Sequence, residues 1–404
     1  METPEQRMPK IDLLFPVLPP TLDGIGDHTA RLSAALAPHA AVRVLTAQSV
    51  ADAIDGVEVV HSFRLPPRRG VWDLVDTVRA DPPDWLFVQF NQFSYGRWGL
   101  NPFLPLALWQ LRRVVPGLKI AVMFHEDFLP ANSWKNTIMT TWQRAQFWAL
   151  GTLADHVFFS IDPWVREYRG WFPGTPVDHL PVGSNMPYIP TDRQEIRQEL
   201  GIKKFTFVMG VFGSLHASRL LGHIRAAAEA VRARTDDVVL LYIGPHGEGF
   251  RDAMGGLPVI DAGRLPATEV SRHFQAMDVH LAPFMDGVST RRGSFMTGLQ
   301  HGVATVTTIG RQSGAGLKSF RGKAFMGASE PDVSSFAESV LALLKESVTH
   351  KTMTVQARAL YCEHFDWTAL ASRLQVLLAC DGTERDHNHT KRFTGKDERS
   401  DCIS

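Results

Sequence analysis

The stretch 286–295, DGVSTRRGSF, sets two adjacent arginines, three hydroxyls and two glycines between an apolar run, DVHLAPFM, and a segment, MTGLQHGVATVTT, that reads as a helix, a glycine stop and a strand. Guanidinium groups and unsatisfied N–H groups at the start of a helix bind anions. Ser294 is placed to cap that helix, and Gly293 keeps the approach open. Arg291 and Arg292 with the free amides would hold a pyrophosphate; the alternative is a surface loop whose arginines pair with acids. A second loop, FGSLHASR (212–219), turns at Gly213 and Ser214 and sets Arg219 in the first turn of the next helix, either reaching back to a phosphate or lying exposed. In a third, PTLDGIGD (20–27), Gly24 and Gly26 allow a close backbone approach to a phosphate or simply make a turn. Residue 29 is Thr, so the GxGxxG dinucleotide fingerprint is absent.

Other residues suit a sugar. FHEDF (124–128) places His125 at a strand end beside Glu126, and Leu129 rules out a zinc HExxH. FNQFSYGRWG (90–99) offers Asn91, Tyr95, Arg97 and Trp98, with aromatic faces to stack and amides to bond hydroxyls; it reads either as a site lining or as a packed loop with an aromatic plug. No Asp-x-Asp metal pair, GxSxG elbow or P-loop stands out.

These loops follow short buried-strand patterns. IDLLFPVLP, AVRVLTA, DWLFVQFN, KIAVMFHED, HVFFSI and VDHLP alternate with helical segments in the first half; FTFVMGVFG, DVVLLYIG, PVIDAGRLP, DVHLAPF and VATVTTIG do so in the second. The expected fold is α/β: two doubly wound Rossmann-like domains facing a cleft, with ligands at the carboxyl ends of the strands. The boundaries read 1–190, a linker at 191–204 with Asp192 capping a helix, 205–355, a C-terminal helix at 356–380, and a disordered tail at 381–404 holding His387 and His389. The loop opened by Gly244 joins the set expected at the second domain's strand ends.

Composition narrows the function. Among 404 residues, 42 are Lys or Arg and 42 are Asp or Glu, so the net charge of zero argues against a nucleic-acid partner. Three cysteines without a CxxC pair fit a reducing cytoplasm, and no run of about 18 apolar residues predicts a spanning helix. The first half also holds Trp98, Trp109, Trp134, Trp142 and Trp148. They either fill a core or help hold an acceptor at a membrane surface, so peripheral contact at the inner membrane face stays open.

In combination these motifs resemble the retaining GT-B glycosyltransferases of family four over residues 10 to 380. LPPTLDGIGDHTARLSAAL resembles that family's opening Gly-rich loop, and GSLHASR its Gly-Arg…Lys stretch, with Ser214 and Arg219 in the places of the Arg and Lys that hold the donor pyrophosphate. DAGRLP resembles its Gly-Arg-hydrophobic-Pro turn. HLAPFMDGVSTRRGSFMTGLQHGVATVTT stands where the family has its two-glutamate block, and the glutamate places fall on Ser289 and Thr297. HFDWTALASRL resembles the C-terminal helix, and His125 matches the family's strand-end histidine near the sugar C6 hydroxyl.

The resemblance implies a hexosyltransferase that takes a nucleoside diphosphate sugar as co-substrate, with no other cofactor and no metal. His125, Arg219 and Arg291 would be catalytic. Gly24, Gly26, Gly213, Ser214, Gly244, Asp286, Ser289, Arg292, Gly293, Ser294 and Thr297 would meet the donor. Asn91, Tyr95, Arg97, Trp98 and Glu126 would meet a sugar, glycan or lipid-linked acceptor. A nucleotide-sugar epimerase or hydrolase of the same fold, or an inactive nucleotide-sugar-binding protein, are the alternatives.

Overall fold

The computed structural model describes residues 7–65, 70–345 and 347–379. The C-terminal tail, with His387 and His389, lies outside the described residues. The chain forms two compact units, one running to Pro181 and taking in the segment from Leu370, the other running from Val182 to Ala369.

The first unit is built on seven strands: β1 (Lys10–Leu14), β2 (Ala41–Thr46), β3 (Val57–His61), β4 (Trp85–Phe90), β5 (Lys119–Phe124), β6 (His156–Phe159) and β7 (Val177–His179). Their order is β3-β2-β1-β4-β5-β6-β7, and every pairing is parallel. Both faces of such a sheet are covered by helices, so its central strands read as unbroken apolar runs such as IAVMF. The strand order reverses beside β1, which puts the switch point between β1 and β4. An aromatic cluster of Phe124, Phe147, Phe159 and Phe172 fills one face.

The second unit repeats the scheme with β8 (Phe207–Phe212), β9 (Val238–Ile243), β10 (Val259–Gly263), β11 (Val279–Ala282), β12 (Ala304–Ile309) and β13 (Met326–Ser329). The order β10-β9-β8-β11-β12-β13 is again parallel throughout, with its switch point between β8 and β11.

In the framework of the two units, sequence expectation and structure part at the edge strands, the first helix, the linker and the C-terminal helix. The edge strands β3 and β13 are not legible, because β3 is only half-buried and β13 reads MGAS. The helix after β1 starts at Gly24 rather than beyond the glycines, since Asp23 caps it and accepts from Ile25 N and Gly26 N. The expected linker packs into the second unit: Arg193 and Arg197 of the helix Arg193–Glu199, capped by Asp192 as read, both bind the Asp278 carboxylate. The expected single C-terminal helix is two, Ser347–His364 and Trp367–Ala379, and the break leaves Trp367 Nε1 donating to Ser184 O at 2.8 Å.

Candidate functional site

In the second unit the loops leaving β8 and β11 meet at the switch point. Arg219 and Phe284 form an antiparallel bridge, Met285 N donates to Ser218 O at 2.7 Å, and Leu220 N donates to Pro283 O at 3.3 Å. The two arginine-bearing loops of the sequence are thus one structure.

Arg219 does not lie in a helix; the next helix begins at Leu221. Its side chain is turned inward and the residue is 8% exposed. Nη2 donates to Phe212 O at 2.7 Å and Nε to Ser214 O at 3.3 Å, while Nη1 has no hydrogen-bond partner among the described residues. Burial pushes its pKa down to about 10, so it remains a cation at neutral pH. The Phe284 ring lies 5.5 Å from this guanidinium and 4.7 Å from that of Arg292, a contact that favours a desolvated cation. Gly213 (φ +111°) makes the turn possible: a Cβ there would lie 3.0 Å from Arg219 Nη2 and 3.9 Å from Ser294 Cβ. Tyr242 ties the turn down, its hydroxyl lying 2.7 Å from Pro245 O, to which it donates, and 3.1 Å from Gly213 O. Gly244 packs below, where a Cβ would fall 2.4 Å from Gly213 O.

Arg291 and Arg292, both half-buried, flank the start of the helix Gly293–Gln300. Arg291 Nη2 donates to Gln312 Oε1 at 3.1 Å and Arg292 Nη1 to Ser218 Oγ at 3.3 Å. Ser294 is not the cap. Arg292 holds that position and no side chain caps the helix, so Ser294 stands in the first turn. Ser289 is buried with its Oγ lacking a hydrogen-bond partner among the described residues. Thr297, expected at the donor, faces the interior: its hydroxyl donates to Gly293 O at 2.9 Å and lies 3.0 Å from Ser184 Oγ. Asp286 takes a left-handed backbone (φ +64°) and pairs with Arg311 at 2.7 Å, which holds its carboxyl below the usual range. Its charge is therefore already matched.

In the first unit, Gly24 and Gly26 stand at a helix start, but the carboxylate of Asp23 occupies the N–H groups that a phosphate would need. Gly26 serves packing instead, for a Cβ there would fall 2.5 Å from Val17 O. His125 is buried at the end of β5, with Nε2 2.6 Å from Gln89 Oε1 and its ring 5.0 Å from that of His28. Burial first, and His28 second, hold its pKa well below the usual value, so the ring is neutral. Tyr95 is a core residue rather than part of an acceptor surface: its hydroxyl sits between Gln89 O at 2.8 Å and Leu14 O at 3.0 Å, which share its one hydrogen, and its ring packs on Phe15, Phe63 and Phe90. Asn91 is half-buried and accepts from Phe93 N, while Arg97, Trp98 and Glu126 are exposed.

The residues that sequence reasoning missed are Tyr242, Phe284, Gln312 and Gln89. Tyr242 had a signal, as the one hydroxyl in the buried run VVLLYI, two residues before Gly244. Among the described residues no cluster of three or more His, Cys, Asp or Glu is placed to hold a metal ion, and no helix is long and apolar enough to cross a membrane.

No family model and no curated protein matches the chain. Solved structures do. Sucrose-phosphate synthase from Thermosynechococcus elongatus superposes with a TM-score of 0.69 at 15% identity, over 91% of this chain and 98% of that one. WaaG, a glycosyltransferase involved in lipopolysaccharide biosynthesis, gives 0.62 at 16% identity over 91% and 99%. Anabaena HepE in complex with UDP-glucose gives 0.64 at 14% identity over 92% and 99%. The fold is that of the GT-B glycosyltransferases: two parallel-sheet α/β domains of seven and six strands.

Proposed function

We propose that this protein is a hexosyltransferase that moves a sugar from a nucleoside diphosphate sugar to a sugar, glycan or lipid-linked acceptor, with retention and without a metal ion. One observation carries the reading. Arg219 is a buried cation that no carboxylate pairs among the described residues, and one face of its guanidinium is unmatched at the switch point of a doubly wound sheet. A buried charge is costly until it is paired and hydrogen-bonded. A diphosphate supplies that pairing, and the uncapped start of Gly293–Gln300 with Arg291 and Arg292 adds to it.

Breaking the sugar C1–O bond leaves negative charge on the departing diphosphate. Groups fixed before the reaction stabilise that charge without reorganising. Arg219, held by two carbonyls, and Arg291, held by Gln312, are such groups. In a retaining route the leaving phosphate itself takes the acceptor proton, so no carboxylate base is required at Ser289 or Thr297. His125, neutral and fixed by Gln89, meets a sugar hydroxyl rather than moving a proton. Asn91, Arg97, Trp98 and Glu126 remain the acceptor candidates of the first unit. UDP and UDP-glucose, the ligands held by HepE, are the first donors to try.

The test is isothermal titration with UDP and UDP-glucose, followed by transfer assays with EDTA present. Arg291→Ala is expected to lower turnover about 100-fold, the loss typical of one donor to a developing oxyanion, with an unchanged melting temperature. Equal turnover in Arg291→Ala and the parent overturns the assignment. Binding without turnover on any acceptor marks a sugar-nucleotide binder, and conversion without acceptor marks an epimerase or hydrolase.

A further inference from the structure

In the first unit the helix Trp134–Leu153 buries polar side chains and exposes large apolar ones. Its inward face buries Thr140, Gln143 and Gln146 beside Phe147 and Leu150. The glutamines are engaged there: Gln146 binds Asn101 N and Gly99 O, and Gln143 Oε1 accepts from Leu129 N at 3.0 Å. The outward stripe at helical spacing, residues 134, 138, 141, 145 and 148, carries Trp134, Ile138 and Trp148. Their neighbours extend the same character. Leu106 and Trp109 of the helix Phe103–Val114 are exposed, as are Phe93, Trp98 and Leu100 of the turn before it. That turn rests on the long helix through Trp142 Nε1, which donates to Trp98 O at 3.1 Å. The tryptophans therefore do not fill the core; Trp134 is 76% exposed, Trp98 59%, Trp148 54% and Trp109 43%.

The charge on these elements has one sign. Residues 91–114 and 129–153 contain Arg97, Arg112, Arg113, Lys135 and Arg144, and no Asp or Glu, in a chain whose total charge is zero. Arg112 pairs with Asp155 from outside the two segments. Arg97 and Arg113 lie over exposed rings, at 5.1 Å from Trp98 and 3.9 Å from Trp109.

We propose that this face docks on the surface of an anionic phospholipid bilayer. Tryptophan is an amphipathic ring that settles at the headgroup level, and a helix carrying exposed aromatic and aliphatic side chains among lysines and arginines lies in that interface. The anionic headgroups supply the charge that the face itself lacks. A second copy of the chain fits poorly, because an isologous contact would set this basic face against itself. The proposal shares Arg97 and Trp98 with the acceptor candidates but rests on neither the donor nor the chemistry, and vesicle binding is read without transfer.

Co-sedimentation of the full chain with vesicles decides it. The chain is expected to bind vesicles containing phosphatidylglycerol at least about tenfold more tightly than vesicles of phosphatidylcholine alone, and to be released by roughly 0.5 M salt, as the shorter Debye length requires. Brominated lipid should quench its tryptophan fluorescence. The double variant Trp134→Ser, Trp148→Ser should lose at least about tenfold in vesicle affinity at an unchanged melting temperature, since both rings are exposed, and Lys135→Glu should weaken binding to anionic vesicles alone. No binding, equal binding to neutral vesicles, or full binding by the double variant overturns the proposal. So does a concentration-dependent dimer in light scattering, or capture of an oligonucleotide in place of vesicles, that the double variant abolishes.

Discussion

Arg219 gives Nε and Nη2 to backbone carbonyls and keeps Nη1 unmatched, a geometry that depends on one glycine. Gly213 adopts φ +111°, and any side chain there would press on Nη2 from 3.0 Å. Gly213→Ala therefore strains the backbone and displaces the guanidinium together. It is expected to destabilise the chain by about 1–3 kcal/mol and to weaken UDP binding at least about tenfold, measured by thermal melting and calorimetry. Normal UDP affinity in this variant would show that the guanidinium position is not set by the turn. The same scale shows what a residue type alone does not tell. Tyr95 had the hydroxyl and ring of a sugar-binding residue, yet two carbonyls in the core claim its hydroxyl. Arg219 was legible as a cation near a Gly turn, but its inward orientation depends on Phe284, which follows β11 and lies several elements further along the chain.

At the scale of elements, the helices that open the two switch points differ in one respect. Gly24–Leu36 is capped by Asp23, whose carboxylate accepts from Ile25 N at 2.8 Å and Gly26 N at 2.9 Å; Gly293–Gln300 has no side-chain cap. The first N-terminus is saturated from within, while the second keeps its positive end for a ligand. Asp23→Ala should cost about 1 kcal/mol in urea unfolding and leave UDP binding unchanged; a fall in UDP affinity would move the anion site to the first unit. The strand core of both sheets was legible because parallel strands buried on both faces leave continuous apolar runs. The caps were not. Ser294 and Arg292 differ by two positions, and only the turn at Ser289–Arg292, where Arg292 N donates to Ser289 O, decides which residue precedes the helix. The tryptophans were left between two readings for a related reason: period and composition give the stripe, but Gln143 and Gln146, bound inward by backbone groups of 99–101 and 129, fix which face is turned out.

Across the whole molecule, buried histidines are expected to make stability depend on pH. Burial lowers the pKa to about 3 in His28 and His179 of the first unit, to about 3 in His280 and about 4 in His301 of the second. His125 is depressed by the same cause. Above the ordinary value near 6.5 these rings are neutral in both states and stability does not depend on them. Below it the unfolded chain takes up protons that the folded chain refuses, so stability falls as pH drops from about 6.5 toward about 4. The linkage is about 1.4 kcal/mol per group per pH unit. His28 and His179 in the first unit, and His280 and His301 in the second, give roughly 3 kcal/mol per pH unit in each, with His125 adding to the first, against a typical domain stability of about 5–15 kcal/mol. Asp81 and Asp286, whose pKa values are lowered, act only below the usual carboxylate range; Asp12 and Asp27, raised by burial, oppose the histidines at the acid end of the window. The melting temperature should therefore be flat from about pH 8 to 7 and fall steadily below about 6.5, with roughly 4 kcal/mol of stability lost from each unit by about pH 5. His280→Asn should remove about one proton of uptake from the unfolding of the second unit and make its pH dependence correspondingly shallower. A melting temperature constant between about pH 7 and 5 would mean that these imidazoles reach water in the folded protein, and the enclosure of His125 at the end of β5 would fall with it.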